Sequence, residues 1–256
     1  WPSPWGDGRP GWHSECVVMS LDLLGEGFDL HCGGEDLRFP HHENERAQAV
    51  ALGKRFANHW MHHGFIVDAE GEKMSKSLGN VSNLLDLIDL YDPRAYRMIL
   101  LQSHYRSPVK ITQDNIDGAV NALAGLDSFA ARTAELAGVA PDESVLADFR
   151  AAMDDDLDTP RATALLFDTV RRANAALDSG SNDAASLAAA AHVIATTFGL
   201  DLALASEVDS EARGLAQSLD DARAAKDFAT ADALRARLQA DGWTVETTRD
   251  GTSLRR

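Results

Sequence analysis

The stretch FDLHCGGEDLRFPHHENERAQA, Phe28–Ala49, carries the change of period on which the fold turns. Phe28 to His31 reads as a short strand ending at Gly33-Gly34, and Pro40 suits the first turn of a helix that continues through Ala49. Gly64-Phe65-Ile66-Val67 is a further strand candidate. Strand, turn, helix and strand in this order is α/β texture.

Working outward, the texture changes near Asp92-Pro93, a good N-cap followed by proline at the first helical position. Beyond it, Ile116, Val120, Leu123, Leu126 and Phe129 recur at helical spacing, with breaks at Gly138–Asp142 and Ser179–Asn182. A helical bundle is expected there. In the tail, Phe228, Ala231, Leu234 and Leu238 form one helix stripe, stopped by Asp241-Gly242. Trp243 to Thr248 and Leu254 then flank the Asp250-Gly251 turn as a hairpin. The expected division is 1–92 α/β, 93–200 helical bundle and 201–256 a small mixed α/β domain.

A chain of 256 residues can bury a sizeable core, and no apolar run in it reaches the length of a membrane span. Two cysteines, Cys16 and Cys32, are too few for a disulfide scaffold, so a soluble protein of the reducing cytoplasm, without membrane partners, is expected. The formal charge of −16 argues against a generally basic nucleic-acid binder but not against a local patch. Arg94, Arg97, Arg106 and Lys110 could form such a track, or could simply be solvated helix faces.

The start of the helix after Pro40 crowds titratable groups together. His41 and Glu45 stand four residues apart on one helix face, whereas His42 and Glu43 face elsewhere. An imidazole and a carboxylate at that spacing can share a metal, and Cys16 offers a thiolate that favours zinc. The plainer alternative is a solvated helix N-terminus whose glutamates complement the macrodipole, and one such pair does not decide between them. Two further stretches bear on the choice. DGRPGWHSEC, Asp7–Cys16, sets a tryptophan four residues before the cysteine. GEKMSKSLGN, Gly71–Asn80, places two lysines and two serines between glycines, positive charge and hydroxyl donors suited to polyphosphate oxygens or simply an exposed basic turn.

Taken together, PGWHSEC, FDLHCGGEDLRFPHHENERAQA, WMHHGF and KMSKSLGN resemble the cysteinyl-tRNA synthetases. The likeness continues through DPRAYRMILLQSHYRSP, AAMDDDLDTPRA, KDFATADALRARL and the final GTSLRR, and so covers nearly the whole chain. It implies the C-terminal half of a Rossmann-type catalytic domain with an active-site zinc ion held by Cys16, His41 and Glu45. Trp12 and His31 would flank bound cysteine, and Asp36 would support the site. The signature Lys73, Met74, Ser75, Lys76 and Ser77 would close over ATP and its Mg2+, with Lys73 and Lys76 stabilising charge on the phosphates. Cysteinyl-adenylate would then esterify tRNA(Cys), the bundle contacting the tRNA stem and the tail its anticodon region.

Departures from the family pattern carry their own expectations. The HIGH signature and a fourth zinc ligand belong to sequence that would precede Trp1. The chain alone is therefore expected not to activate cysteine, to expose a sheet edge and an apolar face, and to work with that half as a truncated or separate polypeptide. Cys32 replaces a glycine after His31 and reads as a tolerated substitution that could also reach the metal; Leu254 replaces a tryptophan. Two other readings compete with a cysteine-tRNA ligase: a cysteine:amino-sugar ligase of thiol biosynthesis, and a noncatalytic or complementing tRNA-binding fragment.

Overall fold

A computed structural model describes residues 1–68, 70–71, 90–136, 138–202, 210–248 and 251–255. The chain divides into two compact units, residues 1–121 with 149–164, and residues 122–148 with 165–256.

The first unit opens with helix α1, Trp12–Leu24, which the sequence reading did not assign. Gly25, at φ 83°, ends it in a backbone conformation that side chains disfavour. Strand β1, Leu30–Gly34, runs two residues later than expected and takes in both glycines. Phe28 instead belongs to a small core with Val17, Ala49 and Phe56, against which Trp60 packs. A wide, irregular turn over Arg38–His42 follows, and regular helix α2 occupies Glu43–Ala51. The helix starts later than Pro40 suggests because Phe39 is extended, at φ −140° and ψ 133°, as residues before proline prefer.

Strand β2, His59–His63, was not anticipated as a strand. It pairs with β1 in parallel, His31 opposite Trp60 and Gly33 opposite His62. The α2 crossover makes this a βαβ unit, the connection that parallel strands require. Strand β3, Ile66–Val67, pairs in parallel with β4, Val109–Lys110. Gly64 is needed at that junction: a Cβ there would lie 2.4 Å from the carbonyl oxygen of Ser107. Helix α3, Pro93–Leu101, starts as expected, with the Asp92 carboxylate accepting from the backbone N–H of Arg94. Among the described residues β1 pairs only with β2, and α1 exposes Val18, Met19, Leu23 and Leu24. Among the described residues, the two-stranded β1–β2 sheet thus has unpaired edges and α1 an exposed apolar face.

Helix α4, Gln113–Thr133, follows the predicted stripe with one exception. Ile116, Leu123, Leu126 and Phe129 are buried, but Val120 is 37% exposed because the stripe drifts off the buried face there. Helices α5, Glu143–Asp154, α6, Thr159–Ser179, and α7, Ala184–Thr197, complete the helical part, and no described helix is long and apolar enough to cross a membrane. The break between α5 and α6 is held in the first unit. Asp156 and Leu157 sit at φ 54° and 56°, and the Asp156 carboxylate accepts from Tyr105 Oη at 2.7 Å and Arg106 Nε at 2.6 Å.

Helices α8, Ser210–Ala224, and α9, Phe228–Ala240, pack with the hairpin β5, Thr244–Thr248, and β6, Gly251–Arg255. Their core joins Ala216, Leu219, Ala231, Leu238, Trp243 and Leu254. Phe228 departs from the expected stripe: it is 66% exposed at the first turn of α9. Leu254 is a buried core side chain opposite Val245, so its exchange for tryptophan is a packing matter at this position.

Leu126→Ala should cost about 3 kcal/mol in urea denaturation, the usual penalty for a core cavity, whereas Val120→Ala should cost less than about 1 kcal/mol. Hydrogen bonds from Arg106 and Tyr105 hold the Asp156 carboxyl down at about 2, against 3.8 when free. Its stabilising contribution is thus complete above the free value and disappears as pH falls toward the folded one. Asp156→Asn should lower the melting temperature at pH 6, and the gap from the parent should close as the melts are repeated toward pH 2.

Candidate metal centre

Three elements of the first unit converge on one carboxylate. Helix α1 contributes Trp12, His13 and Cys16; β1 contributes His31; and the turn into α2 contributes His41, His42 and Glu45. Glu45 is wholly buried and His41 nearly so. Ligand atoms of Cys16, His41 and Glu45 all lie within 4.8 Å of one another.

The two oxygens of Glu45 have different surroundings. His31 Nε2 lies 2.8 Å from Oε2, a normal hydrogen bond donated to the carboxylate. His41 Nε2 lies 2.9 Å from Oε1, yet Oε1 forms no hydrogen bond. The ring nitrogen is close to the oxygen, but an N–H there would not point at it. A buried anionic oxygen left in this way is costly, and two donor atoms side by side that do not bond to each other are suited to a shared cation.

The charges fit that arrangement. Burial pushes the Cys16 thiol above its ordinary value, and the Glu45 carboxylate pushes it the same way. Burial pushes His41 down, against the pull of Glu45. Without a cation the cluster thus holds a thiol, a neutral imidazole and a carboxylate. A divalent ion would balance one thiolate and one carboxylate, and sulfur, nitrogen and oxygen donors together suit zinc.

The other predicted residues are placed as follows. Trp12 is not a core residue: it is 57% exposed and stacks on His41, ring centroids 4.0 Å apart. Asp36 occupies a tight turn over Glu35–Leu37, its Oδ1 2.6 Å from where a Cβ on Gly34 would stand, so a side chain at Gly34 would displace the carboxylate. Cys32 is exposed and belongs to neither metal-capable cluster found among the described residues. Lys73, Met74, Ser75, Lys76 and Ser77 lie outside the described residues.

His42 stands outside the Cys16–His41–Glu45 trio, as its place in the helix suggests. It is buried, and its Nδ1 lies 2.9 Å from His62 Nε2. Burial and three neighbouring imidazoles push it down to about 4. The ring lies over Gly33, where a Cβ would meet it at 2.7 Å. His31, His42 and Glu45 form a second close trio, but a second divalent ion there would bring no new anion and share the same carboxylate. Charge balance favours the trio as support for Glu45. Sequence reasoning missed His13, His42 and His62; the available signal was the helical spacing of His13 and Cys16, three residues apart on α1.

A cavity of about 410 Å³ opens beside His42 and His62, with Trp60, Arg38, Arg46 and Arg106 in its wall. Each arginine already engages a carboxylate: Arg38 meets Glu35 at 3.3 Å, Arg46 meets Glu43 at 3.5 Å and Arg106 meets Asp156 at 2.6 Å. Arg94 likewise closes on Asp92 at 2.7 Å. Two of the four cations considered for a nucleic-acid track, Arg94 and Arg106, are therefore spent locally.

Residues 1–121 match the family described as tRNA synthetases class I (C) catalytic domain, and residues 148–203 match the DALR domain. The chain is 46% identical, over its whole length, to 58% of a cysteine–tRNA ligase from Halorhodospira halophila. It is 44% identical, again over its whole length, to 57% of one from Pseudomonas fluorescens. The chain thus spans a little over half the length of the curated relatives it matches. Among solved structures, LeuRS of Agrobacterium radiobacter, in a ternary complex with tRNA and LeuAMS, aligns with 68% of this chain and 26% of its own at a TM-score of 0.57 and 15% identity. Methionyl-tRNA synthetase of Mycobacterium tuberculosis, bound by methionyl-adenylate, aligns with 68% of this chain and 42% of its own at a TM-score of 0.52 and 18% identity. These two likenesses show the fold alone.

The raised Cys16 thiol has a direct chemical consequence. In metal-free protein at pH 8, iodoacetamide should label exposed Cys32 well before Cys16, as read by peptide mass spectrometry. Glu45→Gln removes the carboxylate charge and should speed labelling of Cys16, while that of Cys32 stays unchanged.

Proposed function

The chain belongs to the cysteinyl-tRNA synthetase family, and from that premise we propose that it serves ATP-dependent ligation of cysteine to tRNA(Cys) in the cytoplasm. The observation that carries the proposal is the convergence of buried His41 and Glu45 with Cys16, their ligand atoms all within 4.8 Å of one another. The proposed division of labour is 1–92 for activation, 93–200 for the tRNA stem and 201–256 for the anticodon region.

Cys16, His41 and Glu45 would hold zinc, which supplies when bound a link that the thiolate of cysteine makes and the side chains of serine and alanine do not. Shape alone separates side chains of such similar size by only about two orders of magnitude. The chain's own residues prepare the site. His31 holds one oxygen of Glu45, and the other lies beside His41. Trp12, stacked on His41 with half its surface open, walls the place where the amino acid would lie. Asp36, beside Gly34 at the end of β1, would support the site.

Lys73 and Lys76 are assigned to the phosphates of ATP with its Mg2+, within the Met74, Ser75 and Ser77 signature. They offset charge that develops as the cysteine carboxylate attacks the α-phosphorus and pyrophosphate leaves. The adenylate then gives its acyl group to the terminal adenosine of the tRNA, and AMP departs. The DALR match and the tRNA ligase names of the relatives favour tRNA over an amino sugar as acceptor.

In a protein of the full length its relatives have, Cys16→Ala should abolish both stoichiometric zinc and cysteine-dependent ATP–pyrophosphate exchange. Lys76→Ala should keep zinc but slow exchange at least about tenfold, about 1.4 kcal/mol in the barrier. Unchanged exchange in Lys76→Ala would remove that residue from the reaction, and zinc-replete Cys16→Ala would remove the metal assignment.

A further inference from the structure

We propose that His13 is a positioning residue for the metal centre: its Nδ1 fixes the tautomer of His41, so that the Nε2 lone pair of His41 faces Cys16 and Glu45. The inference rests on the proposed reading of Cys16, His41 and Glu45 as a metal triad.

His13 Nδ1 lies 2.6 Å from His41 Nδ1. Two facing ring nitrogens at that distance form a hydrogen bond only if one carries a proton and the other a lone pair. Consider first a neutral His41 with its proton on Nε2. That proton would lie beside Glu45 Oε1, 2.9 Å away, without pointing at it, and would fill the space that an ion shared with Cys16 and Glu45 would need. The opposite tautomer keeps the Nδ1–Nδ1 hydrogen bond and leaves that space open. His41 then donates Nδ1–H to His13, and its Nε2 presents a lone pair to the same space as Glu45 Oε1. His13 in turn carries its own proton on Nε2.

The local structure holds this arrangement in place. Trp12 stacks on His41 at 4.0 Å between centroids, which opposes a ring flip that would exchange the two nitrogens. His13 and Cys16 stand three residues apart on α1, so the helix that delivers the thiol also delivers the ring that orients its fellow ligand. Docking α1 through Val17 into the core with Phe28 and Ala49 sets both at once. Metal-binding histidines generally need such a partner on the second ring nitrogen, and its loss weakens binding.

The test uses the purified chain with zinc alone, its affinity measured by competition with a chromogenic chelator, and with Co2+ as an absorbing substitute. His13→Ala and His13→Phe should each lose about 10- to 100-fold in zinc affinity, the usual effect of removing an orienting partner. His13→Asn keeps an acceptor oxygen near the Nδ1 position and should stay within about threefold of the parent. The thiolate-to-Co2+ absorption band should persist in all three variants and vanish in Cys16→Ala. Parental affinity in His13→Ala and His13→Phe would overturn the proposal. So would an Asn variant as weak as the Ala variant, because packing would then account for the loss. Either result leaves Cys16→Ala defective, and so differs from failure of the triad itself, in which the parent binds neither ion or Cys16→Ala binds as well as the parent.

Discussion

A carboxylate sealed from water, that of Glu45, constrains everything around it. Ionised and buried, it would cost several kcal/mol if left alone, and the chain answers with an imidazole beside each oxygen and the Cys16 thiol within reach of the same group. The arrangement requires three separate elements to stop within a few ångströms of one side chain. The small apolar core of Val17, Phe28, Ala49 and Phe56 is what brings α1, β1 and α2 to that point.

Two glycines show how tightly the surrounding backbone is packed. Gly33 yields its side-chain space to the ring of His42, which lets a second histidine go inward from the turn after β1. Gly64 yields its space to the backbone at Ser107, which draws β3 against β4. Around Glu45 the histidines hold one another through His42–His62 and His13–His41 contacts. Neutral rings are what such a shell needs, since charged ones would repel at these distances, and burial keeps His42 neutral across the physiological range.

The remainder of the chain is organised by apolar burial with charge settled locally. Leu219, Leu238 and Trp243 centre the last module, and Leu126 and Phe129 lie at the heart of the α4 stripe. The arginines beside the cavity next to His42 each close on a carboxylate, as does Arg94, so a chain of net charge −16 gains little free positive surface from them. For tRNA to use Arg94 or Arg106, phosphate would have to displace Asp92 or Asp156.

Features that depend on neighbours in sequence were legible without coordinates. The Asp92 cap, the α4 stripe, the tail hairpin and the i, i+4 pairing of His41 with Glu45 follow from spacing, capping chemistry and turn residues acting over a few residues. Boundaries were less legible: β1 slid toward the glycines because Phe28 was drawn into a core, and Val120 and Phe228 fell outside stripes that a straight pattern would include. Spacing could propose Cys16 as the companion of His41 and Glu45 but could not bring it there. Only the packing of α1 against Phe28 and Ala49 decided that Cys16 and His13 both reach His41, that His42 turns inward, and that Cys32 stays outside, because convergence across separate elements depends on which faces bury together.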